Sequence, residues 1–190
     1  MNKSLFNPKP YEKLVSYQRS QVVYLATVDF CRRFMDPRDR TVDQMVQAAR
    51  SGKQNIVEGA IASGSSSATE IKLTGVALAS LAELKEDYHD YLLTHNGTAW
   101  DRNSREATFV RNLCRGSAVS YENTYRQFVE SRDANTVANI LICLICQTEY
   151  LLSRQIAALE KRFLAQGGIR ERMYAVRRAK RDGKSDSDSN

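Results

Sequence analysis

Residues 54–70, QNIVEGAIASGSSSATE, decide the fold, because two helical patterns meet there across a break. Upstream, Val42, Met45, Ala49, Gly52, Ile56 and Gly59 recur every three or four residues, which aligns them as one stripe of a helix. Downstream, Ile71, Leu78, Leu81, Leu84, Tyr88 and Leu92 form a second stripe of the same period. Between them, Ser63 to Ser67 (SGSSS) is a loop by composition, and Ser67 with Glu70 makes a capping box that restarts the chain as a helix. Two helices joined by so short a turn must fold back on each other.

The same stretch poses a chemical question, since it sets an amide, a carboxylate and a glycine in an apolar helix. Asn55 and Glu58 lie three apart and share a face beside the stripe of Ile56 and Gly59. A glycine inside a helix costs roughly 1 kcal/mol against alanine, so Gly59 implies a packing reason such as close approach of a neighbouring helix. Asn55, Glu58 and Gly59 are therefore expected to act as a structural polar pin that fixes the register of neighbouring helices, rather than as a catalytic group.

Working outward, the first helix is expected from about Pro10 to Phe34, where Asp36-Pro37 breaks it, with a stripe of Leu14, Tyr17, Tyr24, Val28, Cys31 and Met35. Thr41 with Gln44 marks the start of the second helix by another capping-box pattern. Residues 94–105 read as irregular, with His95-Asn96-Gly97-Thr98 as a turn signal. A weaker helical pattern follows (Phe109, Leu113, Tyr121, Tyr125, Phe128), interrupted at Gly116-Ser117, and reads as an insertion of one or two short helices over about 94–134. The last helix runs from about Asn135 to Gln166 and stops at Gly167-Gly168. Its segment Ile140–Cys146, ILICLIC, is apolar on every side and must be covered all round, which hints at contact between subunits.

The expected architecture is all-α: an antiparallel up-down-up-down four-helix bundle over residues 1–166 with the insertion between its third and fourth helices. A basic suffix at 167–184 and a disordered tail at 185–190 follow. With 3 prolines and 9 glycines in 190 residues, the chain has few of the breaks that divide an all-β protein. The N-terminal MNKSLFNPKP has no apolar core of a signal peptide, and ILICLIC falls far short of the roughly 20 residues that span a bilayer. A cytoplasmic protein that does not engage a membrane is expected, with its cysteines reduced.

The net charge of +6 is unevenly spread. Between Arg170 and Lys184 seven bases stand against two acids, so nearly all of the excess lies in the suffix. Such a segment suits an anionic partner, RNA or DNA, although a solvated solubilising tail has the same composition. Its Ile169, Met173, Tyr174 and Val176 recur at near-helical spacing, so one face can dock while the other offers charge to phosphate.

No catalytic or metal set emerges. Glu86 and His89 have the Glu-x-x-His spacing of di-iron bundles, but the chain has only two histidines and no second such motif. Cys143-x-x-Cys146 lacks further ligands and lies inside an apolar helix rather than at a helix N-terminus, so core packing is the simpler reading. Gly64-Ser-Ser-Ser67 lacks the Gly-Lys-Ser/Thr ending of a P-loop. The tyrosines offer stacking surfaces in principle, yet most fall on helical stripes. No cofactor and no enzymatic activity are expected.

Asn55, Ile56, Glu58 and Gly59, then the serine-rich turn, then Ser80, Leu81, Glu83 and Leu84, follow in order the Asn-Ile-x-Glu-Gly and Ser-Leu-x-Glu-Leu segments of a known family. The chain thus resembles the four-helix-bundle family of the 23S rRNA intervening-sequence protein, which includes the accessory variability determinant of diversity-generating retroelements. Residues 167–178 look like the C-terminal suffix of one of its subgroups. The resemblance covers about residues 10–93 and 135–181, and the longer 94–134 segment departs from it. It implies a non-catalytic homo-oligomer, often a pentamer in that family, with basic surfaces that bind nucleic acid. On this reading Arg170, Arg172, Arg177, Arg178, Lys180 and Arg181 contact phosphates. The alternative is an accessory module that docks a partner protein such as a reverse transcriptase.

Overall fold

In the computed structural model, which describes residues 10–113, 121–166, 173–174 and 177–178, every regular element among the described residues is helical. The six α-helices of more than one turn are α1 (Val15–Phe34), α2 (Arg40–Ala62), α3 (Ser67–Thr94), α4 (Arg105–Leu113), α5 (Arg126–Glu130) and α6 (Ala134–Gln166). A 3-10 turn, Tyr11–Lys13, precedes α1, and a π-helical turn, Tyr121–Tyr125, leads into α5. The expected tail at 185–190 lies outside the described residues, as does most of the suffix.

Local chemistry sets the ends. The cap of α2 is Asp39, whose carboxylate accepts from the Thr41 N–H at 2.8 Å, two residues before the expected Thr41. For α3 it is Ser66, which accepts from the Thr69 N–H at 3.2 Å, one residue before the expected Ser67. Either serine could serve; Glu70 was read as the other half of the box, but it is wholly buried and turned to other use. Helix 1 begins at Val15 rather than Pro10 because Leu14 is extended (ψ 123°) and leaves Tyr11–Lys13 as a separate turn. The C-terminus of α3 closes with Asn96 at φ 55° and the Gly97 N–H donating to the Leu92 carbonyl at 2.7 Å. That is the glycine-assisted stop encoded by His95-Asn96-Gly97.

Each of the four long helices packs chiefly on two others: α1 on α2 and α6, α3 on α2 and α6. Buried apolar residues of all four form one core, with Phe30 meeting the rings of Tyr88 and Tyr91 edge-on at 5.1 and 4.9 Å. The α2 and α3 stripes read from sequence are largely those buried, whereas α1 is rotated. Val28 is 38% exposed, and the face turned inward carries Ser16, Ser20, Val23, Ala26, Thr27 and Phe30. Three of these are polar, so an apolar stripe search passes over them. Their hydroxyls are satisfied: Ser16 donates to Gln155 Oε1 at 2.8 Å, Ser20 to the Tyr17 carbonyl at 2.8 Å, and Thr27 Oγ1 accepts from the Tyr88 hydroxyl at 3.0 Å.

The segment between α3 and α6 explains the all-round apolar run. Ile140, Leu141, Leu144 and Ile145 are buried, while Ile142 and Cys143 are half-buried and Cys146 is exposed. α4 packs on α6 with Ala107 and Val110 turned inward, α5 makes a smaller contact with α6, and the turn that carries buried Tyr125 packs on α1. Two polar anchors hold this cover down. Asn139, 3% exposed, donates through Nδ2 to the Thr98 and Asn135 carbonyls at 3.0 and 2.9 Å and accepts the Trp100 N–H at 2.7 Å. Arg33 donates to the carbonyls of Val129, Glu130 and Arg132 at 2.6, 3.0 and 3.2 Å, satisfying groups that the end of α5 leaves without helical partners. Asp29 holds the same guanidinium at 3.3 Å. The coverage that hinted at a subunit contact is thus supplied largely from within the chain. By length and composition α6 would suffice to cross a membrane, but 56% of its apolar window is buried inside the protein.

Candidate functional site

The expected site divides between the C-terminal segment and the α2 motif. α6 reaches the C-terminal segment with its end fixed: Arg162 donates to the carboxylate of Glu70 at 2.9 Å, and Glu70 is fully buried at the first turn of α3. Glu70 is therefore a tie between α3 and α6, a role hidden in sequence behind its place in a capping pattern. Beyond α6, Arg177 and Arg178 are helical and exposed, and so is Tyr174, at 67%, with Met173 half-buried beside it. Arg170, Arg172, Lys180 and Arg181 lie outside the described residues.

The α2 motif behaves differently from its expected role as a three-residue pin. Gly59 is buried against α3, where a Cβ would lie 3.4 Å from the Glu70 carbonyl oxygen and from Leu73 Cβ, so its lack of a side chain serves close approach. Asn55 bonds within its own helix, its Nδ2 donating to the Ser51 carbonyl at 2.9 Å and to Ser51 Oγ at 3.2 Å. Ser51 Oγ in turn lies 3.0 Å from Ser80 Oγ on α3, so Asn55 reaches the neighbouring helix through one hydroxyl relay. Among the described residues Glu58 makes no tie to a neighbouring helix. It is exposed, on the outer side of α2, because three residues along a helix from Asn55 carries it round past the seam. Other polar ties between helices join Tyr88 to Thr27, Arg162 to Glu70, and Lys85 to both oxygens of Glu149 at 2.9 Å.

On the outer side of the α2–α3 seam, Asp43, Gln44, Gln47, Ala48, Ser51, Ser80 and Glu83 line a shallow open groove of about 380 Å³. Its lining carries two carboxylates, Asp43 and Glu83, and brings no nucleophile together with a base. Along the same helix, burial pushes the Asp87 carboxyl upward, and the neighbouring charges of Glu83 and Asp90 push it further. Asp87 Oδ2 is buried without a hydrogen-bond partner. Glu86 is exposed and His89 half-buried, and among the described residues no three His, Cys, Asp or Glu side chains gather as a metal-holding group. At the Cys143-x-x-Cys146 pair, Cys146 is exposed as a residue, yet the protein around its sulfur strips enough water to raise the thiol, with Glu149 adding to it and Lys85 and Arg102 opposing. The thiolate that redox chemistry needs is therefore disfavoured.

Among the described residues a cation lies near the ring face of Phe34, Tyr24 and Tyr150, and of these rings only Tyr150 is exposed. Lys53 Nζ sits 4.4 Å from the Tyr24 ring centre across the α1–α2 seam, and Arg154 lies over exposed Tyr150 at 5.9 Å. No family model, no curated protein and no solved structure matches the chain.

Proposed function

We propose that the chain is a non-enzymatic, homo-oligomeric up-down-up-down four-helix bundle of the intervening-sequence-protein type that binds RNA or DNA through its basic C-terminal segment in the cytoplasm. The bundle reading is supported by the contacts of α1, α2, α3 and α6, each resting on two of the others, and by the short connections at 35–39 and 63–66. Such connections favour antiparallel neighbours. The observation that carries the binding reading is the concentration of positive charge in residues 170–184, with Arg177 and Arg178 exposed on helical turns beyond the end of α6. Contacts of this kind go to phosphates, so they give affinity with little sequence selectivity and a steep dependence on salt.

Fluorescence anisotropy with labelled single- and double-stranded RNA and DNA tests this. Binding should weaken steeply between about 50 and 200 mM salt, and Arg177→Ala with Arg178→Ala should lower the slope of log K against log salt by about one to two. No binding at low salt, or binding indifferent to salt, would end the proposal. The second reading, docking of an acidic partner protein such as a reverse transcriptase, is favoured by the exposed Tyr174 beside the arginines, a residue type enriched in protein interfaces. Truncation after Gly167 separates the two: loss of nucleic-acid binding with partner capture intact supports the first, and the reverse supports the second.

A further inference from the structure

The middle of α3 is unusual on its outward side. From Leu73 to Ala82, LTGVALASLA, ten residues pass without a charge, although the helix is solvent-facing there: Val76 is 40% exposed and Ala79 is exposed. Lys72 and Glu83, both exposed, bracket this stretch. Gly75 stands beside Val76 with nothing within 4 Å of the position a Cβ would take. Unlike Gly52 and Gly59, it answers no packing need within the protomer, yet glycine in a helix interior is destabilising against alanine.

Lys72, Val76, Ala79 and Glu83 are spaced by four, three and four residues, the pattern of a helix-pairing seam about 16 Å long. The order is self-complementary. When two copies of α3 cross antiparallel about a point midway between Val76 and Ala79, Lys72 of each faces Glu83 of the other, and Val76 packs on Ala79. Gly75 then lets the two backbones approach.

We propose that the outward face of α3 is a two-fold contact with a second copy of this chain, Val76 and Ala79 supplying its apolar centre and Lys72–Glu83 pairs its ends. This rests on the homo-oligomer reading, names its surface, and makes the assembly even-numbered where the resembled family often forms pentamers. A two-fold contact is isologous and closes on itself, so this surface by itself yields dimers.

Sedimentation equilibrium across a wide concentration range tests the contact, with Lys72→Glu, Glu83→Lys and the double swap. All three changes lie on exposed positions, and circular dichroism melts check that each variant folds. Each single swap places like charges opposite each other at both ends and should raise the dimer dissociation constant about tenfold. The double swap should restore it. Single swaps without effect, or a double swap that fails to recover, would overturn the contact, as would an odd-numbered assembly. An oligomeric wild type indifferent to the swaps removes this surface and leaves self-association standing. A wild type that stays monomeric at all concentrations removes both.

Discussion

Replacing Asn139 by leucine is expected to cost about 2–4 kcal/mol and to loosen the connection between α3 and α4. The side chain is 3% exposed and makes three hydrogen bonds, to the Thr98 carbonyl at 3.0 Å, to the Asn135 carbonyl at 2.9 Å and from the Trp100 N–H at 2.7 Å. The Asn135 bond is local to α6 and adds little beyond the helix that already holds it. The other two tie an irregular strand of backbone to α6, and leucine leaves the Trp100 N–H and the Thr98 carbonyl without that partner. Each such loss costs roughly 1–3 kcal/mol, offset in part by whatever water reaches the half-buried loop. Leucine keeps the branched skeleton of asparagine, so no cavity opens, and its greater bulk at this buried position adds to the loss. Trp100 is the single tryptophan of the chain, so its emission reports this connection alone. Urea unfolding followed by circular dichroism gives the global loss, and a red shift of Trp100 emission under native conditions reports local release. Stability within about 0.5 kcal/mol of the wild type, with unshifted emission, would refute Asn139 as the anchor.

Four further outcomes follow from the same geometry. Gly52→Ala should destabilise by about 1–3 kcal/mol, since its Cβ would lie 2.9 Å from Leu81 Cγ and Cδ2 in the α2–α3 seam. Gly75→Ala, with open space at the same test, should stabilise the folded protomer by about 0.5–1 kcal/mol; paired thermal melts compare the two. Glu58→Ala should leave the melting temperature of the protomer nearly unchanged, because exposed substitutions of this kind move stability by about 0.5 kcal/mol or less. Asp87→Asn should raise the melting temperature at neutral pH. The folded carboxyl is raised above its unfolded value, by burial first and by Glu83 and Asp90 next, so the folded state is favoured while Asp87 is protonated and loses ground as pH rises. The advantage of the asparagine should therefore shrink as pH falls toward about 4, read from melts taken across the acid range.

Sequence by itself determined the helical class, the four long helices and most of their ends. These are local properties: a 3.6-residue period survives in any context, and Asp36-Pro37, the serine-rich turn at 63–67 and His95-Asn96-Gly97 act through backbone geometry within a few residues. The packing role of Gly59 was legible for the same reason, since a glycine in a helix carries a cost that close approach of a neighbour explains, whereas Gly52 stood in the sequence only as a stripe position. The charge bias of the suffix is likewise a matter of composition, and the exposure of Arg177 and Arg178 accords with it.

Tertiary structure decided everything that depends on distant partners. It turned α1 so that Ser16, Ser20 and Thr27 face inward, which no apolar count could reveal because Gln155 and Tyr88, far along the chain, satisfy two of them. It moved the polar tie between helices from Glu58 to Glu70, because the facing cation, Arg162, comes from a helix 92 residues away. And it buried Ile140, Leu141, Leu144 and Ile145 of the ILICLIC run, with α1, α3 and α4 packed on α6 and the segment before α4 tied to it through Asn139, so that a pattern suggestive of a subunit contact became largely an internal core. An all-round apolar helix states only that it must be covered; which segment covers it is settled by the folding of the chain around it.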